Sequence, residues 1–270
     1  MSDKKRVDVA LVERGLAASR EKAQALVMSG VVYIGETKVT KASLTVAPED
    51  ELIVRQTGTG YVSRGALKLE KGLKVFGVDA KGVVAMDLGA STGGFTDVLL
   101  QNGAAHVYAI DVGYGQLDWK LRNDPRVTVM ERTNARYLTP EDLPLRPTLG
   151  VMDVSFISIT KILPAAAAIL GEEGAFISLI KPQFEAGRER VGKKGVVRDP
   201  QVHRDVIREI LHFIETDMGW QAQELSFSPI TGPEGNIEFL VHILHAARAT
   251  HRVTEDEVEQ VVAAAHESLR

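Results

Sequence analysis

The sequence predicts an α/β protein: a doubly wound, mostly parallel seven-stranded sheet, preceded by a small α+β domain. Three observations carry this. Between roughly residues 82 and 244, short apolar runs of strand length alternate with stretches of helical periodicity, the pattern of parallel strands joined by crossover helices. A glycine-rich turn, D-x-G-x-S-x-G-G from Asp87 to Gly94, follows the first of those runs and opens a helix. Charged side chains stand at the ends of several runs, and the carboxyl ends of strands are where open α/β sheets bind ligands.

The turn says which kind of ligand to expect. Residues 82–86 are an apolar run bounded by glycine, too short for a helix, and 95–100 return to helical spacing. Strand, turn and helix start bring backbone N–H groups and a carboxylate to one place. A dinucleotide site wants G-x-G-x-x-G, its second glycine letting the backbone approach a pyrophosphate. Here Ser91 holds that position. The Asp87 carboxylate is a poor neighbour for phosphate and a good one for a cation, such as the sulfonium and amino group of S-adenosylmethionine. A second strand, 106–110, ends at Asp111, roughly 20 residues past the turn, where an acid can take two ribose hydroxyls. A glycine turn alone is also an ordinary strand-to-helix connection; the two acids and the missing glycine favour the S-adenosylmethionine site. Its expected contacts are Asp87, Gly89, Ser91, Thr92, Gly93, Gly94, Phe95, Asp111 and Val112. Asn134, after a third strand at 127–130, is placed to read an adenine edge.

Composition sets the limits. A chain of 270 residues suits one large α/β domain and a small one, and 44% hydrophobic with 25% charged residues supports a full core. There is no cysteine, which removes disulfides and thiolate metal sites and fits a reducing compartment; no metal is expected and the expected location is cytoplasmic. Lys4, Lys5 and Arg6 are followed by no apolar run of the kind a signal peptide needs. No apolar segment reaches the ~18 residues of a membrane helix, since 162–180 is broken by Pro164, Glu172 and Glu173. A net charge of -4 means that any nucleic-acid site is a local patch.

Residues 1–55 have a pattern of their own. Val7, Ala10, Leu11 and Leu16 fall on one face of a short helix stopped near Gly15. Ser19 caps a second helix over 20–28, with Ala23, Leu26 and Val27 inward and Gly30 as its stop. Residues 31–39 read as a β-hairpin and 52–54 as a strand. The order R-x-D-x-x-L-x-x-x-G-x-x-x-S-R-x-x-A, starting at Arg6, resembles the RNA-binding domain first seen in ribosomal protein S-four. That resemblance implies an RNA-facing role for Arg6, Arg20, Lys22 and Lys38. Charge alone reads these residues as a solvated face, because acids and bases nearly balance here. Residues 56–60, polar and twice glycine, form a linker. The larger domain spans 61–248. It opens with Arg64, counted with the RNA-facing residues, and a helix that Ser63 caps, on which Lys68 reads as an ordinary surface charge.

Beyond Asp111 the winding continues. A fourth strand, 149–152, ends at Asp153. After a helix at 165–170, the wholly apolar fifth strand, 174–180, ends at Lys181. A helix at 202–213 precedes a sixth strand at 225–227 and a seventh at 237–244 that carries Glu238. An acid and a lysine at the ends of buried strands point either to chemistry or to a structural ion bridge.

Six strings then carry a second resemblance: 62–69 (V-S-R-G-A-L-K-L), the turn at 87–96, 111–117 (D-V-G-Y-G-Q-L), 153–156 (D-V-S-F), 181–185 (K-P-Q-F-E) and 195–199 (G-V-V-R-D). Over nearly the whole chain they resemble the TlyA family, whose members join an S-four-type domain to a class I, Rossmann-like methyltransferase domain of the FtsJ type and are often labelled haemolysins. The resemblance implies 2′-O-methylation of ribosomal RNA, with rRNA or ribosomal subunits as partner. It also implies a Lys-Asp-Lys-Glu tetrad, which falls here on Lys68, Asp153, Lys181 and Glu238.

The tetrad makes chemical sense. A ribose hydroxyl is a poor nucleophile until its proton has somewhere to go, and a lysine accepts it only in its neutral form, which burial and a neighbouring ammonium favour. Lys181, leaving the most apolar strand, is the expected base; Lys68 supplies the neighbouring charge, and the two acids orient the amines. Residues 187–199, basic and glycine-rich, are expected to be mobile and to close over the RNA backbone through Arg188, Lys193 and Lys194. A capping box at Thr254–Glu257 opens a final helix within 249–270. Three other readings compete. A membrane-active haemolysin needs a spanning or strongly basic amphipathic helix, and neither is present. A non-catalytic RNA-binding protein on a methyltransferase-like fold would not need its tetrad filled. A nicotinamide-dependent dehydrogenase is disfavoured by Ser91.

Overall fold

A computed structural model describes residues 4–28, 31–35, 37–54 and 60–269, with Lys38 and Pro233 described by backbone alone. The chain divides into two compact units, Met1–Arg64 and Gly65–Arg270. Residues 61–64 fall with the first unit, whereas the sequence reading assigns them to the second. The linker at 56–60 lies, except for Gly60, outside the described residues, as does Gly30.

In the smaller unit, β1 (Lys5–Arg6) leads into α1 (Val7–Glu13), followed by α2 (Arg20–Met28), β2 (Val32–Ile34), β3 (Thr37–Lys38), β4 (Thr45–Val46) and β5 (Leu52–Val54). Strand β2 is central, antiparallel to β3 and β5, while β1 pairs with β4. Val7, Ala10, Leu11, Ala23, Val27 and Val32 form the apolar centre. The Ser19 hydroxyl accepts from the Lys22 N–H at 3.3 Å, as a capping residue should. Leu16 departs from expectation: α1 ends at Glu13, and Leu16 is exposed in the turn beyond it. The two-residue strands β1 and β4 are too short for a periodicity to reveal.

The larger unit contains α3 (Ala66–Val75), β6 (Val84–Leu88), α4 (Gly94–Gln101), β7 (His106–Ile110), α5 (Trp119–Arg122), β8 (Val127–Met130), β9 (Leu149–Met152), α6 (Leu163–Leu170), β10 (Ala175–Ile180), α7 (Pro182–Glu185), α8 (Pro200–Thr216), β11 (Trp220–Phe227), β12 (Phe239–His245) and α9 (Glu255–Ser268). Its seven strands lie in the order β11-β12-β10-β9-β6-β7-β8, parallel from β10 to β8, with β12 antiparallel to both neighbours. This is the doubly wound sheet that the alternation predicts. Side chains alternate along each strand, and the two faces are covered differently. Phe176, Phe239 and Val241 join the cluster formed with α6, α8 and α9. Ile177 and Leu240 face α3, where Gly72 lets the helix approach: a Cβ there would stand 3.3 Å from Ile177.

Boundaries moved where propensity and packing disagree. Strand β11 has eight residues where three were expected, because Gln221, Gln223 and Glu224 obscure its apolar pattern. Helix α3 starts at Ala66 after Gly65 and has no side-chain cap, so Ser63 does not cap it. The Thr254–Glu257 capping box is present, and α9 buries Val258, Val262 and Ala265. No helix among the described residues is long and apolar enough to cross a membrane.

Candidate active site

Strand β6 lies between β7 and β9, the point where the winding reverses, and the glycine turn leaves its carboxyl end. Gly89 has φ +86°, and a Cβ there would stand 2.6 Å from the Asp153 carbonyl oxygen, so only glycine lets the turn lie against the loop after β9. Ser91 has φ +49°, the left-handed conformation that a glycine would adopt more easily. Its N–H donates to Asp111 Oδ2 at 2.8 Å, and the Gly113 N–H donates to Oδ1 at 2.7 Å. Each Asp111 oxygen thus keeps one lone pair, enough to accept from two vicinal hydroxyls.

Asp87 is placed differently from the sequence expectation. It is the fourth residue of β6 and has no exposed surface. Thr96 Oγ1 donates to its Oδ2 at 2.7 Å, while Oδ1 is buried with no partner among the described residues. Burial, helped by the negative charges of Asp153 and Asp111 and opposed by the Thr96 bond, pushes this carboxyl up to about 7. Three acids and an unsatisfied buried oxygen fit a cationic ligand and would oppose an anionic one. Phe95 is corrected too: it is buried in the body of the domain with Gly93 and Gly94, leaving only its backbone for a ligand. Thr92 and Val112 are exposed beside the turn. Asn134 is exposed, but its Oδ1 accepts from the Arg136 N–H at 3.1 Å. Its NH2 and the second lone pair of Oδ1 remain for a base, as the reading of an adenine edge by an amide requires.

Four charged residues meet at the same end of the sheet. Asp153 follows β9 and Lys181 follows β10. Glu238 precedes β12, whose antiparallel course brings its start beside the end of β10, Phe239 pairing with Ile180. Lys68 arrives from α3. Lys68 Nζ donates to Glu238 Oε2 at 2.6 Å and to Asp153 Oδ2 at 3.4 Å. Lys181 Nζ lies 2.5 Å from Asp153 Oδ1, an ion pair without hydrogen-bond alignment, and donates to Ser155 Oγ at 3.0 Å. Gln183 Nε2 donates to Glu238 Oε1 at 3.3 Å. Burial pulls the Lys68 ammonium down, but Asp153 and Glu238 together outweigh it, so its titration is raised above the usual lysine value. Lys68 is therefore a buried cation, 6% exposed, and not the surface charge that helix position alone suggests. The row joins the glycine turn directly: the Asp153 N–H donates to the Leu88 carbonyl at 3.0 Å.

Three neighbours were missed as individuals, although each lies inside a string already singled out. Ser155 and Gln183 contact the tetrad as above. Phe156 has φ +65° and is 91% exposed, its ring 5.0 Å from that of Phe184. A large aromatic that is both exposed and left-handed is uncommon and points to use rather than packing.

The basic residues divide into two groups. In the smaller unit, Arg6 and Arg20 converge on the buried Asp8, at 2.9 and 3.1 Å, and Gln24 adds a bond at 3.1 Å. Their guanidiniums remain about half exposed. Lys22 is partly exposed, and the side chain of Lys38 lies outside what the structure describes. Arg64 is exposed. In the larger unit Arg188, Lys193 and Lys194 are exposed on two short 3-10 turns. Their segment is anchored, contrary to the expectation of a mobile strap. Asn236 accepts from the Val197 N–H and donates to the Gly195 carbonyl, Val196 and Val197 are buried, and Arg190 pairs with Glu209.

Residues 61–244 match the model of the FtsJ-like methyltransferases and residues 5–52 that of the S4 domain. YqxC of Bacillus subtilis is 51% identical over 273 residues, covering 100% of this chain and 96% of its own length. The 16S/23S rRNA (cytidine-2′-O)-methyltransferase TlyA of Mycobacterium tuberculosis is 46% identical over 242 residues, 89% of this chain and 90% of that one. The solved structure of a Streptococcus thermophilus protein assigned as a haemolysin superposes with a TM-score of 0.77 at 44% identity, covering 99% and 98% of the two chains. The match of both domain models together with identities of 46–51% over most of the chain places it in the TlyA family of FtsJ-like methyltransferases.

Proposed function

We propose that this protein transfers a methyl group from S-adenosylmethionine to a ribose 2′-hydroxyl of ribosomal RNA in the cytoplasm. The observation that carries the proposal is the assembly of two lysines and two acids one hydrogen bond away from the glycine turn.

Asp111 and the turn backbone at 89–94 would hold the nucleoside half of the cofactor, Asp87 would favour its cationic half by charge, and Asn134 would donate to the adenine. The bound cofactor supplies a methyl carbon already activated by the sulfonium. The remaining work falls to the chain. Two carboxylates fix Lys68 as a cation that holds the ribose oxygen by hydrogen bonding. Among the described residues Lys181 pairs with one carboxylate, and its other partner is a neutral hydroxyl, so Lys181 is the base in this reading. The ribose O–H proton would join the Lys181 amine, freeing the oxygen pair to accept the methyl group that the bound cofactor would supply on becoming a neutral thioether. Glu238, itself held by Gln183, holds Lys68, and Asp153 holds both amines. Phe156 offers a flat face at the mouth of the site on which an unstacked base can lie. The S4 unit, through Arg6, Arg20, Lys22 and Lys38, and the exposed Arg64, Arg188, Lys193 and Lys194 would take phosphates.

Replacing Lys181 with alanine should lower the methylation rate of rRNA by about 100- to 10,000-fold, the usual contribution of a general base. Binding of S-adenosylmethionine, measured by calorimetry, should stay within about threefold of wild type, because Lys181 touches acceptor chemistry and not the donor. Wild-type turnover by Lys181→Ala would remove the assignment.

A further inference from the structure

Ser155 stands outside the four-residue cluster, yet among the described residues it accepts the one aligned hydrogen bond that Lys181 Nζ makes, at 3.0 Å. The closer Asp153 oxygen attracts the same ammonium without alignment and so sets its position more than its rotation. The lysine stem is packed, 7% exposed, which leaves rotation about the Cε–Nζ bond as its main freedom.

We infer, resting on the reading above in which Lys181 takes the hydroxyl proton, that Ser155 is a positioning residue that aims the Lys181 amine at the ribose oxygen. A neutral amine has two N–H bonds and one lone pair in a tetrahedral array, so its lone pair points where the two N–H bonds do not. Ser155 Oγ takes one N–H along a fixed direction, while Asp153 holds the amine in place by charge, so the Ser155 bond sets where the remaining N–H and the lone pair point. Both acceptors come from the same short loop, whose start is tied to β6 by the Asp153 N–H bond to Leu88 and whose next residue, Phe156, turns left-handed. Ser155 is itself exposed, so water can accept its hydroxyl hydrogen while its lone pairs serve the lysine.

The test uses full-length protein with Ser155→Ala and Ser155→Thr, measured in three ways. Single-turnover methylation of rRNA should fall about 10- to 100-fold in S155A, the scale of a misaimed reacting group, and stay within about threefold in S155T, which keeps the oxygen. Affinities for S-adenosylmethionine and for rRNA should stay within about twofold in both. In the protein without ligands, nitrogen NMR should show the Lys181 ammonium exchanging its protons with water faster in S155A than in wild type. S155A turning over within twofold of a functioning wild type would overturn the inference and leave the methyltransferase reading standing. A loss confined to rRNA affinity would overturn it as well, by making Ser155 a substrate contact. A wild type that transfers no methyl group to rRNA would bring down the proposed activity, and this inference with it.

Discussion

Asp87→Asn separates what the buried acid does for the fold from what it does for the ligand. The Asp87 carboxyl titrates at about 7 in the folded chain against 3.8 as an isolated side chain. A folded-state value above the unfolded one means that the fold favours the neutral acid. The associated stability is fully present below pH ~4, is lost as pH rises through about 7, and changes no further above that. The span is roughly three units, or about 4 kcal/mol in all at ~1.4 kcal/mol per unit; between pH 5 and pH 8 the share lost is about 2–3 kcal/mol. Asparagine is neutral throughout. It can still accept the Thr96 hydroxyl, but sets an NH2 where Oδ1 now lies unpartnered, a cost of about 1–3 kcal/mol that does not vary with pH. Urea unfolding followed by tryptophan fluorescence reports on the right unit, because Trp119 and Trp220 both belong to the larger one. The wild type should lose about 2–3 kcal/mol more than D87N between the two pH values. If the two pH profiles run parallel to within about 0.5 kcal/mol, the fold does not raise the Asp87 carboxyl, and burial and the charges of Asp153 and Asp111 do not act on it as argued here.

Phe156→Ala should raise the KM for rRNA by about 5- to 150-fold, the worth of one stacked base, with no change in S-adenosylmethionine affinity or melting temperature; an unchanged KM would return Phe156 to the ordinary surface. In the S4 unit, the Arg6 hydrogen bond first, then those from Gln24 and Arg20, hold the Asp8 carboxyl well below the usual range against the opposing effect of burial. Its contribution to stability is present above pH ~4 and is lost only in stronger acid. Asp8→Asn should therefore lower both the melting temperature of that unit and rRNA affinity at neutral pH, and wild-type affinity in a filter-binding assay would show that Asp8 does not present the arginines. Neutralising Lys193 and Lys194 together as glutamines should reduce the slope of log affinity against log salt by about 1.4–1.8, and an identical slope would place both lysines away from phosphate.

What the sequence disclosed tracks how local each signal is. Strand β6, the turn and α4 are contiguous, so glycine spacing and apolar run length sufficed to locate them. Asp111 was legible for the same reason, one residue beyond a clean apolar strand. The depth of Asp87 was not, because the residue belongs to the strand rather than to the turn, and one residue of boundary error carries a side chain from one face of a sheet to the other. The anchoring of residues 187–199 was hidden too. Glycines and lysines suggest a loose loop, but Asn236, some forty residues on, closes it by accepting and donating at Val197 and Gly195.

The tetrad is the opposite case, since nothing in its spacing reveals it. Its members are separated by 85, 28 and 57 positions and come from a helix, two strand ends and a strand start. The decisive step is the direction of β12. Were that strand parallel to β10, as alternation alone would suggest, Glu238 would begin at the amino end of the sheet, far from Lys68. Running antiparallel, it puts Glu238 next to the end of β10 and gives Lys68 a second carboxylate. That second acid separates the two lysines chemically: one is held as a cation by two charges, and the other meets one charge and a hydroxyl. The proposed roles of Lys68 as fixed cation and Lys181 as base therefore rest on strand direction, which a hydrophobic pattern cannot encode. Lys68, least conspicuous in the sequence as one of several lysines on an amphipathic helix, becomes the fixed charge around which the other three are arranged.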